Sequence, residues 1–233
     1  MKYVVAKLSK NQRFSNKAAS RGIGAATAIL AAKEGARVAV NYNKNEKAAM
    51  ELVRKIIQEN GQVFAIQADV ADQYQVNHMI EGVIKKWGRV DVLINNAGVY
   101  VDGNFREASV EDIDLQIDVN LRGLLYATHA ALPIMARQKG GVIVNISSGV
   151  GKHGEGGIAV YSATKFVVIG FTQSLAEETE NENIRVYAIC PGQTATDMGA
   201  HAGMPPEKVA KKVIECAKEE VGLHSGGDVE VRS

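Results

Sequence analysis

Residues 141–148 read Gly-Val-Ile-Val-Asn-Ile-Ser-Ser. Val142, Ile143, Val144 and Ile146 follow one another with little polar alternation. A strand of this texture is covered on both faces, as in a parallel sheet sandwiched by helices. The same texture recurs at 37–42, 63–66, 90–94 and 184–189, and 227–231 reads as a short last strand. Helical stripes lie between these runs. Ala48, Ala49, Leu52, Val53, Ile56 and Ile57 form one, stopped by Asn60-Gly61. Val76, Met79, Ile80, Val83, Ile84 and Trp87 form another, ending at Gly88. Residues 109–137 and 160–182 read as two long helices, and 207–220 as a shorter one introduced by Pro205-Pro206. Strand–helix alternation of this kind predicts a three-layer, doubly wound α/β fold with right-handed crossovers and a mostly parallel sheet of about seven strands. Ligands of such sheets sit at the carboxyl ends of the strands.

The 233 residues suit one domain spanning the whole chain, 1–233. A net charge of +1 gives no electrostatic reason for a nucleic-acid or anionic-membrane partner. Cys190 and Cys216 are too few for a disulfide scaffold and lack metal-ligand spacing, so they read as buried free thiols of a reducing compartment. His129, His153 and His201 stand without carboxylate or cysteine partners in sequence, and no metal site is expected. No apolar run reaches the ~20 residues of a membrane span, and no signal-peptide core precedes residue 12, so the expected location is cytoplasmic.

The first turn is the irregular part. Ser20-Arg21-Gly22-Ile23-Gly24 leads into an alanine-rich helix over 25–33 that closes at Gly35. Two glycines before a helix N-terminus suit a pyrophosphate, because unpaired N–H groups and the positive end of the helix dipole meet there. Lys17 and Ala18 stand where a threonine and a first glycine are expected, and residues 9–18 are polar where a buried strand should lie. Three arrangements remain open: residues 1–8 supply the first strand with 9–17 inserted, residues 12–16 form a poor strand, or this stretch of the sequence is itself at fault.

Further signals stand in fixed order: Asp69-Val70, Asn95-Asn96-Ala97-Gly98, Asn120, Ser147-Ser148, Tyr161-Ser-Ala-Thr-Lys165, Pro191-Gly192 and Thr196. Together they resemble the short-chain dehydrogenase/reductase family in its single-domain Rossmann form, nearest to its 3-oxoacyl-carrier-protein reductase-like members. Tyr161 and Lys165 are four residues apart and share a helix face. A free phenol ionises near pH ~10, and a neighbouring ammonium is expected to lower that value. Ser148 is expected to hold the substrate oxygen as charge develops, with Ser147 as the alternative serine. The resemblance implies that Lys165 also bonds the nicotinamide ribose and that Asn120 orders a proton-passing water. It implies a cofactor site at Ser20, Arg21, Gly22, Ile23, Gly24, Asn41, Asp69, Val70, Asn95, Ala97, Gly98, Tyr161, Lys165, Pro191, Gly192, Thr194 and Thr196. Asn41-Tyr42-Asn43-Lys44 carries no acid to repel a 2′-phosphate, and Arg21 can grip one, which favours NADP(H) over NAD(H).

The expected activity is reduction of a ketone, of 3-oxoacyl type or another small carbonyl, to a secondary alcohol. The alternatives are polyol or sugar oxidation, or a nucleotide sensor or scaffold that lost turnover with its first glycine. An isomerase or epimerase is a weaker option, since such chains usually run longer. Residues 197–206 leave room only for a short, mobile lid over an open site. The acidic run Glu177, Glu178, Glu180 and Glu182 disfavours an acyl carrier protein, itself acidic, as partner. The two long helices resemble those that pair subunits in the family, so a homotetramer is expected, with a dimer next.

Overall fold

The computed structural model describes residues 3–7, 22–196, 198–199 and 201–232. Lys17, Ala18, Ser20 and Arg21 lie outside them, as does the whole of 8–21. The strands are β1 (Tyr3–Lys7), β2 (Arg37–Tyr42), β3 (Gln62–Gln67), β4 (Val92–Asn95), β5 (Gly141–Ile146), β6 (Ile184–Pro191) and β7 (Asp228–Val231). They form one seven-stranded sheet in the order β3-β2-β1-β4-β5-β6-β7, with every pairing parallel. The first strand is therefore drawn from residues 1–8. The strand order reverses between β1 and β4, which opens the crevice where ligands of doubly wound sheets bind.

The helices are α1 (Ile23–Lys33), α2 (Glu46–Gln58), α3 (Gln73–Trp87), α4 (Val110–Ile117), α5 (Gly123–Gln138), α6 (Ala159–Glu178) and α7 (Pro206–Ala217). Their ends follow local chemistry. Asn45 caps α2 by accepting from the Ala48 N–H, and Asp72 caps α3 by accepting from Tyr74 and Gln75. Ser109 caps α4, and Gly88 ends α3 with φ of 80°.

Side chains alternate across the sheet and build two cores. Val38, Val40, Ile94, Val144 and Ile189 face one side with Ala28, Leu52, Val209 and Val213. Ala39, Leu93, Ile143 and Val186 face the other with Met79, Val83, Ala131, Met135 and Leu175. A fully buried isoleucine such as Ile143 contributes about 1.5–3 kcal/mol by leaving water.

Two expected helices differ from their outline. The single helix expected over 109–137 is divided by a π-helical turn at Asp118–Arg122, which separates α4 from α5. The helix expected over 160–182 stops at Glu178, and a 3₁₀ turn covers Glu180–Glu182.

Candidate active site

The carboxyl ends of β4, β5 and β6 gather the expected catalytic residues around the first two turns of α6. Ser148 follows β5 and caps a 3₁₀ turn, Gly149–Gly151, accepting from the Val150 N–H at 3.4 Å. It lies close enough to the Tyr161 phenol to pull that group toward ionisation. Ser147 points elsewhere: it is buried, and its Oγ donates to the Lys165 main-chain carbonyl at 2.8 Å. Of the two serines, Ser148 is the one that reaches the phenol.

Lys165 is buried one turn after Tyr161, and its Nζ donates to the Ile146 carbonyl at 2.9 Å. The amine lies 5.5 Å from the centre of the Tyr161 ring. Burial pushes the lysine down to about 8, opposed by the neighbouring Cys190 thiol. Burial pushes the phenol up to about 12; the nearby Ser148 pulls it down and Tyr100 pushes it up. The expectation that the amine makes this phenol more acidic is thus corrected. Desolvation outweighs attraction, because the amine sits over the ring and is turned toward Ile146.

Tyr100 packs edge-on against Tyr161, with ring centres 5.2 Å apart and planes at 82°. On another side Met198 approaches, its Sδ 3.8 Å from the Tyr161 hydroxyl. Met198 belongs to a loop closed on itself. Met204 N–H donates to Gln193 O, Ala195 N–H to Met204 O, and His201 N–H to Thr196 O. These main-chain bonds tie the described residues of this stretch together, and Met198 lies beside Tyr161 where an open site was expected.

Asn120 sits in the π turn and is buried. Its Oδ1 accepts from the Val99 N–H at 2.7 Å, and its Nδ2 donates to Val99 O at 2.9 Å and to Thr164 Oγ1 at 3.1 Å. The side chain is therefore a clamp on the strand-end loop that carries Gly98 and Tyr100. Its amide is spent on these bonds.

Gly22 is the N-cap of α1 at φ of 126°, with no side-chain cap bond and no acid in the first turn. A methyl group built on Gly22 would stand 3.9 Å from Thr196 Cγ2, so this helix end looks across the crevice to the loop after β6. Ile23 and Gly24 begin the helix. A helix N-terminus at a glycine, with no side-chain cap among the described residues, fits a pyrophosphate. Gly98 faces the centre: a methyl there would lie 3.7 Å from the Lys165 amine and from Met198 Cε. Ala97 and Val70 line a small cavity of about 20 Å³ beside it, at the ends of β3 and β4. Pro191 ends β6, the Gly192 N–H bonds Val231 O, and Thr194 Oγ1 bonds Gly192 O.

Three expected cofactor residues are used internally instead. Asn41 is wholly buried, and its Nδ2 donates to Ile66 O and Ala68 O, tying β2 to the end of β3. Asn95 Nδ2 donates to Thr128 Oγ1 and Asn145 Oδ1 inside the sheet. The Asp69 carboxylate accepts from Asn43 Nδ2 and the Ala71 N–H. The amide nitrogens of Asn41 and Asn95 are thus engaged by the fold, while the buried Asn41 Oδ1 has no hydrogen-bond partner among the described residues. Asp69 stays at the crevice rim with its oxygens partly engaged.

Sequence reasoning missed the buried ladder Asn95–Asn145–Thr172, in which Asn145 Nδ2 donates to Thr172 Oγ1 at 3.0 Å. It also missed Tyr100, Met198 and Thr164 as neighbours of the catalytic set. His129, His153 and His201 are exposed. Cys190 and Cys216 are buried free thiols, which burial pushes up to about 11 and about 12. Among the described residues no helix is long and apolar enough to cross a membrane.

The short chain dehydrogenase family model matches residues 17–205. A 3-oxoacyl-(acyl-carrier-protein) reductase of Synechocystis is 42% identical over 188 residues, 81% of this chain and 76% of that one. A protein of the same name from Staphylococcus aureus is 43% identical over 180 residues, 77% of this chain and 73% of that one. A solved short-chain dehydrogenase/reductase mutant from Serratia marcescens superposes with a TM-score of 0.87 at 28% identity, covering 99% of this chain and 95% of that one. A dehydrogenase/reductase from Sinorhizobium meliloti gives the same TM-score and identity over 99% and 93%. The fold, the order of its motifs and these likenesses agree: the chain belongs to the short-chain dehydrogenase/reductase family of oxidoreductases.

Proposed function

We propose that this protein reduces a ketone, of 3-oxoacyl type or another small carbonyl, to a secondary alcohol with NADP(H). The carrying observation is the buried Tyr161 phenol, one helical turn from the buried Lys165, whose amine lies over its ring, with Ser148 close by at the end of β5. Nicotinamide, when bound, supplies the hydride. Ser148 holds the carbonyl oxygen, and the Tyr161 hydroxyl gives that oxygen its proton as negative charge develops there. Lys165 would bond the nicotinamide ribose, and Asn120 fixes the wall made by Val99 and Tyr100. Gly22, Ile23 and Gly24 would hold a pyrophosphate, with Thr194, Thr196, Pro191 and Gly192 opposite them across the crevice. Val70, Ala97 and Gly98 line the remaining wall.

The NADP(H) preference rests on the absence of an acid at the end of β2 and on Arg21. The names of the curated relatives support a 3-oxoacyl substrate. The exposed run Glu177, Glu178, Glu180 and Glu182 supports a free ketone or a coenzyme-A-like thioester over a carrier-protein partner. Phe166 and Val167, 44% and 45% exposed on α6, support a homotetramer, with a dimer as the smaller form. The two buried free thiols suit the cytoplasm.

The test is an absorbance assay of the purified chain with NADPH and NADH against 3-oxoesters and diketones. Tyr161→Phe should lower turnover by about a hundredfold or more while the cofactor Kd stays within a few-fold. A phenylalanine variant with the wild-type rate refutes the proton-donor role. Lys17 and Ala18, at the place of the usual threonine and first glycine, favour one second reading, a sensor or scaffold. NADPH fluorescence enhancement without turnover of any ketone or polyol would favour it.

A further inference from the structure

Lys165 is held at both of its ends by consecutive residues of one strand end. Its ammonium donates to the carbonyl of Ile146, and its own main-chain carbonyl accepts from the hydroxyl of Ser147. Ser147 has the reach for this because strand side chains alternate. Ile143, Asn145 and Ser147 all face α6 and its neighbours, whereas Ser148 faces the crevice. Space for the bond comes from Gly151. A methyl group there would stand 2.6 Å from Ser147 Oγ and 2.7 Å from Lys165 O, closer than packed atoms approach. The buried Cys190 thiol, at the end of β6, stands beside the same hydroxyl.

We propose that Ser147 is a positioning residue for the amine of Lys165, acting through the lysine's main-chain carbonyl, and that Gly151 is the residue whose missing side chain permits it. This rests on the ketoreductase reading for its kinetic consequences but not for its structural ones. In an α-helix a lysine side chain follows its own backbone, so a bond on the carbonyl sets where the stem begins. The Ile146 carbonyl then sets where the stem ends. With one of the two removed, the ammonium is free to swing within the site. The groups that face this amine are the Tyr161 ring on its own helix, the Cys190 thiol from β6, and the neutral Asn120 amide beside Gly98.

The test uses Ser147→Ala, Ser147→Thr and Gly151→Ala in the full chain. With NADPH and a reducible ketone, Ser147→Ala should lower kcat about fivefold to tenfold with the KM of the ketone changed less than about twofold, the effect expected from one lost hydrogen bond. Ser147→Thr keeps the hydroxyl and should recover most of that loss. Gly151→Ala keeps the serine but crowds it, and should reproduce the alanine phenotype. A second readout needs no cofactor: titration of the Lys165 side chain by carbon-13 NMR of labelled lysines, assigned with Lys165→Arg. In Ser147→Ala the midpoint should move up from the wild-type value toward that of a solvated lysine, as water reaches the loosened ammonium.

Wild-type kcat together with an unmoved lysine titration in Ser147→Ala overturns the proposal. So does an alanine variant whose kcat falls without threonine rescue and without a titration shift, which is the mark of packing alone. If the wild-type protein reduces no ketone, the reading under Proposed function fails, and the titration still decides the role of Ser147.

Discussion

Replacing Asn120 by alanine tests how the π turn is tied to the site. The side chain makes three buried bonds, two to the N–H and C=O of Val99 and one to Thr164. Thr164 keeps a partner after the change, because its Oγ1 donates to Tyr161 O at 2.7 Å. The two Val99 groups do not, and both lie in the interior, where Val99 is buried. Each buried polar group left unmade costs about 1–3 kcal/mol, so Asn120→Ala should cost about 3 kcal/mol or more. A domain's total stability is about 5–15 kcal/mol, so this is a large share. For a chain of this length the expected drop in Tm is about 6–12 °C. Asn120→Asp should not rescue: it keeps an acceptor for the Val99 N–H but sets a carboxylate oxygen against the Val99 carbonyl. Urea unfolding monitored by circular dichroism, with calorimetry for Tm, reads both variants. A Tm within 2 °C of wild type for Asn120→Ala would show that the two Val99 groups are satisfied some other way, and the clamp would lose its structural meaning.

Gly123→Ala should destabilise by about 1–3 kcal/mol, since its methyl would fall 2.3 Å from Val70 Cγ2. Adding Val70→Ala should return part of that loss in urea, and strictly additive effects would refute the clash. Lys165, at about 8 in the folded state and near 10.5 unfolded, makes the unfolded chain bind more protons between those values. Stability should therefore rise with pH across that window, by about 3 kcal/mol relative to Lys165→Met. Tyr161, raised to about 12, opposes this only above its unfolded value near 10. A wild-type-minus-variant difference that stays flat from pH 7.5 to 10 would sink the assignment. Ala18→Gly should tighten NADPH binding several-fold by fluorescence titration, and an unchanged Kd would show that residue 18 does not stand in the first glycine's place.

The sheet was legible because its strands are buried on both faces. Val142 to Ile146 and Ile184 to Ile189 carry so few polar residues that only a doubly covered strand explains them. The break between α4 and α5 was not legible. Asp118 to Arg122 contains neither glycine nor proline, and the π turn accompanies a tertiary contact, the Asn120 grip on Val99 across the site. The choice between Ser147 and Ser148 was closer to the surface of the sequence than it looked. Adjacent strand residues face opposite ways, so one of the two must join Ile143 and Asn145 against α6. The same parity would have placed Asn95 inward with Leu93. Asn41 escaped for another reason: at a strand's carboxyl end a polar residue suggests ligand contact, yet here its amide closes the turn between neighbouring strands.

The electrostatics of Tyr161 depend on burial, which spacing along a helix does not reveal. Four residues between a phenol and an amine bring the two together, but the sign of the result depends on what else surrounds them. Here water is excluded from both, and each is pushed toward its neutral form, the phenol to about 12 and the amine to about 8. The phenol therefore keeps its proton at neutral pH and holds it more tightly than free tyrosine does. In the reduction proposed above, this protonated form is the one from which an oxygen gaining charge beside Tyr161 would draw its proton. Oxidation of an alcohol would need the phenolate first, and in this setting only added positive charge close to the hydroxyl would supply it. The Lys165 amine is near enough to serve if it turns from the Ile146 carbonyl toward the crevice. The hydrogen bonds to Ile146 and from Ser147 fix where that amine stands, and so how much positive charge reaches the hydroxyl.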